Sequence, residues 1–397
     1  WKRTSSTRWR SSWTASPCAR ASGAAFILVL HLIFAVTAHI NYPEADFHQA
    51  IEWQFYGNTD SRHYLDLSIY GYGTQEAFPE QYLQIVFFPL YPALLHILHF
   101  VTRIDAFWLG FAVQLPLFAA ATASFYTVIA RRWDEQTAAL SLALLLASPA
   151  SVFFAVPMTE SLFLLLTVRY VLTLEREQWW RCASLGVLAG LCRAPGGLLL
   201  GLTGLYLFMR WRRGTRPTIP SLLAMLSPAA GLGLYFLLNY LVYGRWNQYH
   251  IYQWDNWNQK LGLFTNTVRY HLDYMAQWWD SNPKSALALC LAAVLCLLTI
   301  LALLSATVRR LPAHWLGFGL AYFAVTMGTT WLISVSSGAV LPARCLGAAF
   351  AGPPTAHKGC TGNAGYRKRY LHNAISIRLA DLLKKLPVSQ MRRQAVF

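Results

Sequence analysis

Residues 24–40 read AAFILVLHLIFAVTAHI, without one Asp, Glu, Lys or Arg. A helix rises 1.5 Å per residue, so a run of about 20 such residues crosses roughly 30 Å of hydrocarbon. The stretch therefore predicts a transmembrane helix, and the reading repeats outward at residues 106–130, 285–308 and 314–335. The chain is 55% hydrophobic and 13% charged, against about 25% charged in a soluble domain. One large soluble core would leave too few charges to coat its surface. The expected fold is an all-α polytopic membrane protein. No small-residue cleavage site follows residues 24–40, so they read as a first anchor rather than a removed signal.

Charge orients the chain. Residues 1–20 hold five Lys/Arg, and residues 344–397 hold ten against Asp381 alone, so most of the net +16 lies at the two ends. Basic short loops stay in the cytoplasm. Arg131 and Arg132, Arg176 and Arg181, the arginines at 210–216, and Arg309 and Arg310 mark further inside positions. Clustered basic charge of this kind implies contact with anionic lipid. No aromatic-interleaved motif suggests nucleic acid. Residues 41–84 form the first external loop, with seven of the 17 acids against Arg62 alone. Residues 244–283 form a second, rich in Trp and Tyr, as suits the membrane interface or a sugar or lipid entry groove.

This alternation restricts the path. Residues 85–101, with Pro89 and Pro92, read as a partial or interfacial helix. Spans follow at 106–130, 138–156 and 160–174. Residues 182–209, interrupted by Arg193-Ala194-Pro195-Gly196-Gly197, read as two half-depth helices lining a cavity. Spans near 219–243, 284–308 and 314–335 complete the core. The seven cysteines are scattered, without metal-ligand spacing, and read as small apolar filler.

Four motifs could carry chemistry. Asn58-Thr59-Asp60-Ser61-Arg62-His63-Tyr64, followed by Ile69-Tyr70-Gly71-Tyr72, lies in the acidic external loop. A carboxylate there can take the proton of a sugar hydroxyl that attacks an anomeric carbon, and a lipid phosphate leaves as an anion without an acid. A solvated loop acid is the plain alternative for Asp60. Phe87-Phe88-Pro89-Leu90-Tyr91-Pro92 fixes a bend. In Ser148-Pro149-Ala150-Ser151-Val152-Phe153-Phe154, continuing to Thr159-Glu160-Ser161-Leu162-Phe163, Glu160 is an ionisable group at membrane depth. It equally fits a helix N-terminal acid beside a Thr159 cap. Arg193 is predicted near mid-depth. Its partner is a lipid phosphate, Glu160 or Asp60, or else it forms a purely structural ion pair.

Together these blocks resemble the PIG-V family, the GPI mannosyltransferase 2-like proteins and their bacterial relatives. The likeness runs through Asp60-Ser61-Arg62-His63-Tyr64 to Gly71-Tyr72, then residues 87–92 and 148–163, with Trp179-Trp180-Arg181 and the Arg193/Gly196 block beyond. It covers roughly residues 24–340. Thr59 stands where the family pattern has Trp. Residues 334–350 depart from the relatives' later motif.

The resemblance implies a GT-C-type bundle of about 8–10 transmembrane helices, with a helical first external loop. It assigns residues 24–350 to this glycosyltransferase domain, 1–23 to a basic cytoplasmic segment and 351–397 to a basic polar tail, non-native in one reading. It implies transfer of a sugar, mannose by analogy, from a polyprenyl- or dolichyl-phosphate donor to a glycan or glycolipid acceptor. Inversion would occur on the external or luminal side of a bacterial inner membrane or the endoplasmic reticulum. Asp60 is the expected base, and His63, Arg62, Tyr72, Glu160 and Arg193 are the expected substrate-binding residues. No cofactor is expected; no acidic cluster demands a metal, and a divalent cation is left open. A lipid or solute transporter and an inactive or truncated family member are the competing readings.

Overall fold

The computed structural model describes residues 16–56, 59–72, 84–257, 264–283, separate positions within 286–298, and 311–328; every regular element among them is helical. The predicted span at 284–308, the end of the one at 314–335, residues 73–83 of the first external loop, the first fifteen residues and the tail lie wholly or largely outside them. Three described helices are long and apolar enough to cross a membrane: Pro17–Asn41, Ala106–Arg132 and Ile219–Tyr243.

The chain divides into two compact units, one of Leu32–Thr59 with Ala351–Phe397 and one of the remainder to Phe350. The smaller holds the second half of α1 (Pro17–Asn41) and α2 (Phe47–Tyr56). Phe34 and Phe55 meet edge to face at 4.8 Å. Gln54 Nε2 donates to Thr37 Oγ1 at 3.0 Å and to the Phe34 carbonyl at 3.3 Å.

In the larger unit, α3 (Ser61–Tyr70) lies within the acidic segment 41–84, and α4 (Leu90–Thr102) is the short helix predicted from the paired prolines. The span read at 106–130 is two helices nearly in line, α5 (Ala106–Ala112) and α6 (Gln114–Arg132), joined through Val113. Pro116 explains the joint, because it lacks the N–H that would bond the Ala112 carbonyl.

The span read at 138–156 is corrected. α7 (Glu135–Ala147) ends early, Ser148 is extended, and a 3-10 turn occupies Pro149–Phe154. A residue before proline is driven out of the helical region, and the apolar run conceals that stop. The next helix, α8 (Glu160–Glu175), has 16 residues, about 24 Å.

The interrupted stretch at 182–209 forms α9 (Trp179–Cys192), a turn at Ala194–Gly197, and α10 (Leu198–Trp211). Arg193 between them is extended, with φ −159° and ψ 151°. α11 (Ile219–Tyr243) has the bounds its apolar run predicts. Pro228 inside it leaves the Ala224 carbonyl without its helical donor. Ser227 Oγ at 2.9 Å and the Tyr170 hydroxyl at 3.1 Å donate to it instead, as a backbone group shut off from water requires. α12 (Gln248–Trp257) and α13 (Phe264–Ser281) follow in the aromatic-rich segment 244–283, and α14 (Ala313–Gly328) closes the described chain.

α9 and α11 approach through glycines. A Cβ on Gly190 would sit 2.3 Å from the Pro228 carbonyl oxygen, and one on Gly231 would sit 2.2 Å from that of Val187. Small residues let helix backbones pack this closely in membranes. Gly190→Ala is therefore expected to destabilise the protein by about 1–3 kcal/mol or more. Thermal unfolding of the purified protein checks this, and an unchanged midpoint would contradict the close approach.

Candidate functional site

Asp60 occupies the residue before α3 and accepts the His63 N–H on its backbone carbonyl, yet its carboxylate caps nothing. Among the described residues that carboxylate makes no hydrogen bond and no ion pair. Asp60 is solvent-accessible, but protein surrounds it densely enough to push its pKa up. Desolvation is the largest cause, the Glu160 charge adds to it, and the Arg193 charge opposes it.

Two other segments supply the charges it senses. Glu160 is the first residue of α8, and its Oε1 pairs with Arg193 Nη1. That same Nη1 donates to Thr159 Oγ1 at 3.1 Å. Thr159 therefore does not cap α8, contrary to the plainer sequence reading; its hydroxyl accepts from Arg193 instead. Glu160 is nearly enclosed, its side chain 13% exposed, whereas the Arg193 side chain keeps 34%. Nε and Nη2 of Arg193 make no hydrogen bond among the described residues. The arginine is thus held by one nitrogen and keeps donors to offer.

The surrounding packing sets this geometry. Tyr64, one turn after Asp60, is buried edge-on against Phe87 at 5.1 Å and Tyr91 at 5.7 Å. Tyr91 donates to the Gly110 carbonyl at 3.0 Å. Gln114 Nε2 donates to the Tyr91 hydroxyl at 2.8 Å and to the Met158 carbonyl at 3.0 Å. That chain of buried bonds ties α4 to the segment ahead of Glu160. A Cβ on Gly110 would meet Leu65 at 2.8 Å and Pro157 at 2.9 Å. The blocks around Asp60, Tyr91 and Glu160 are thus packed neighbours, although up to 100 residues part them.

The other predicted site residues are differently engaged. His63 stacks on Phe87 at 4.7 Å. Tyr72 donates its hydroxyl to the Phe87 carbonyl at 2.6 Å, and Tyr235 donates to that of Ile85 at 2.6 Å. Both tyrosines pin the bent segment ahead of α4. Arg62 lies on the more exposed face of α3, 3.5 Å from Asp66. Asp60, Glu160 and Arg193 therefore come together, while His63 and Tyr72 brace the neighbouring wall and Arg62 pairs along its own helix.

Sequence reasoning gave no site role to Tyr64, Gln114 or Tyr249, the last near enough for its hydroxyl to feel the Arg193 charge, and read Thr159 only as a cap. Of the first three, Tyr64 carried a local signal, its i+4 spacing from Asp60. Among the described residues no group of three or more His, Cys, Asp or Glu is placed to hold a metal ion. No family model, curated protein or solved structure matches the chain.

Proposed function

We propose that the chain is a membrane glycosyltransferase with Asp60 as its base. The sugar, mannose by the family resemblance, comes from a polyprenyl- or dolichyl-phosphate donor and goes to a glycan or glycolipid acceptor. The acceptor hydroxyl gives its proton to the Asp60 carboxylate as its oxygen bonds to the anomeric carbon. The bond from that carbon to the phosphate oxygen breaks on the opposite face, so the centre inverts. The phosphate leaves as an anion and needs no proton. Charge gathering on it is met by the uncommitted donors of Arg193.

The observation that carries this reading is the pairing of an accessible carboxylate without hydrogen bonds and an arginine held by only one nitrogen. A purely structural ion pair has no use for either. The three ordered sequence blocks around the pair support it further. On this reading the fold is a GT-C bundle of about 8–10 transmembrane helices, with the site on the external or luminal side.

The test is a donor panel: membranes containing the chain, offered polyprenyl-phosphate mannose, glucose or arabinose. Transfer from the mannose donor is expected to exceed that from the other two. Equal silence with all three, in membranes where the chain is folded, would sink the reading.

A further inference from the structure

Glu160 and Glu175 stand at the two ends of α8, about 22 Å apart. At the Glu175 end lies a cavity of about 430 Å³ that the transfer reaction does not use. Arg131 and Arg132 from the last turn of α6 and Arg210 and Arg213 from the end of α10 line it, with Glu175 and His314. Four arginines against one lining carboxylate make it strongly cationic. Arg210 is committed to Glu177. Arg132 and Arg213 are solvent-exposed and make no hydrogen bond or ion pair among the described residues.

Two buried polar atoms belong to residues of the cavity's lining. Glu175 Oε1 and His314 Nε2 lie 3.8 Å apart, beyond hydrogen-bond reach, and neither makes a hydrogen bond. A buried polar group without a partner is costly. The basic residues also exceed what helix ends require, since the arginine in the last turn of α10 already has its carboxylate.

An apolar pocket adjoins the cavity. Val128 lines both, and Phe125, Val168, Leu202, Trp315 and Phe318 bound the apolar one. The sequence neighbours His314 and Trp315 also divide between the two, one in each. A cationic head cavity beside an apolar pocket matches an amphiphile with an anionic head and a hydrocarbon tail.

We infer that this end of the bundle binds an anionic membrane lipid, with its headgroup phosphate between Arg132 and Arg213 and a chain against the apolar pocket. The inference does not rest on the proposed transfer reaction.

The test uses the purified full chain in mild detergent, with lipid occupancy read by native mass spectrometry. Dioleoyl phosphatidylglycerol is expected to bind in preference to dioleoyl phosphatidylcholine. The Arg132→Gln/Arg213→Gln variant should lose about tenfold or more in occupancy, because it removes charge-assisted hydrogen bonds. Arg269→Gln, an exposed arginine on α13, should bind as the unaltered chain does, and so should Asp60→Asn. A dihexanoyl phosphatidylglycerol should bind more weakly than the dioleoyl form, and inorganic phosphate should displace neither. Equal loss in Arg269→Gln would reduce the effect to general surface charge. Displacement by inorganic phosphate, with no dependence on chain length, would leave a free-anion site. Either outcome overturns the lipid assignment.

Discussion

Asp60→Asn is expected to lower sugar transfer from polyprenyl-phosphate mannose by about 10²- to 10⁴-fold, the usual contribution of a positioned general base. Expression and thermal stability should hold, because the carboxylate caps no helix and makes no hydrogen bond among the described residues. The sign of the linkage agrees. A carboxyl whose pKa is raised on folding binds protons more tightly in the native state. Its contribution to stability is present at pH below the unfolded value and lost as pH rises through the folded one. Ionised Asp60 is therefore unfavourable to the fold at neutral pH, and Asn leaves stability unchanged or raises it. Activity runs the other way, since only the ionised form accepts a proton. The acid limb of the pH–rate profile should lie above the ordinary carboxylate range. Glu160→Gln should move that limb to lower pH, because it removes the like charge that raises Asp60 and leaves the Arg193 charge that lowers it. Full transfer by Asp60→Asn would remove Asp60 from the mechanism.

How much of this was legible in the chain depends on where the controlling interaction lies. The break at Arg193 could be read, because Pro195 and two glycines announce it locally. The bounds of α11 could be read despite Pro228, since its lost bond is made good by Ser227 and Tyr170. The end of α7 could not: Ser148-Pro149 sits inside an apolar run that outweighs it in any window average. Arg62 was read as a ligand for substrate; the helix also sets Asp66 four residues on, 3.5 Å from it, a pairing that the i+4 spacing announces. Thr159 looked like a cap because caps are local; its actual partner is Arg193, 34 residues away. That Arg193 would need Glu160, Asp60 or a phosphate was legible from its mid-depth position; that both carboxylates lie near it was not. Their spacing along the chain says nothing of it, and packing by Tyr64, Tyr91, Gln114 and Gly110 brings it about.

Arg193 carries the second large effect, and there the structural and chemical roles must be separated. Arg193→Met strands the nearly enclosed Glu160 carboxylate. Losing one partner of a fully buried pair costs about 3–5 kcal/mol, and the partial exposure of Arg193 reduces this to roughly 2–3 kcal/mol. Transfer should fall together with stability, so that variant alone decides nothing. The Arg193→Met/Glu160→Met variant removes both charges at once. Replacing a buried pair by apolar side chains of similar volume is commonly neutral or stabilising, so the thermal midpoint should return to that of the unaltered chain. Transfer should not return. It should stay about 10²- to 10³-fold down, the scale set by removing one donor to a developing anion. Inhibition by the product, polyprenyl phosphate, supplies a readout that a structural role would leave unmoved. Its affinity should fall in the double variant and in Arg193→Lys, which keeps the charge but not the planar fork. It should persist in Asp60→Asn and in Glu160→Gln. A refolded double variant that recovers transfer would make Arg193 a brace for the bundle, and leave Asp60 without the positive charge that its proposed reaction requires.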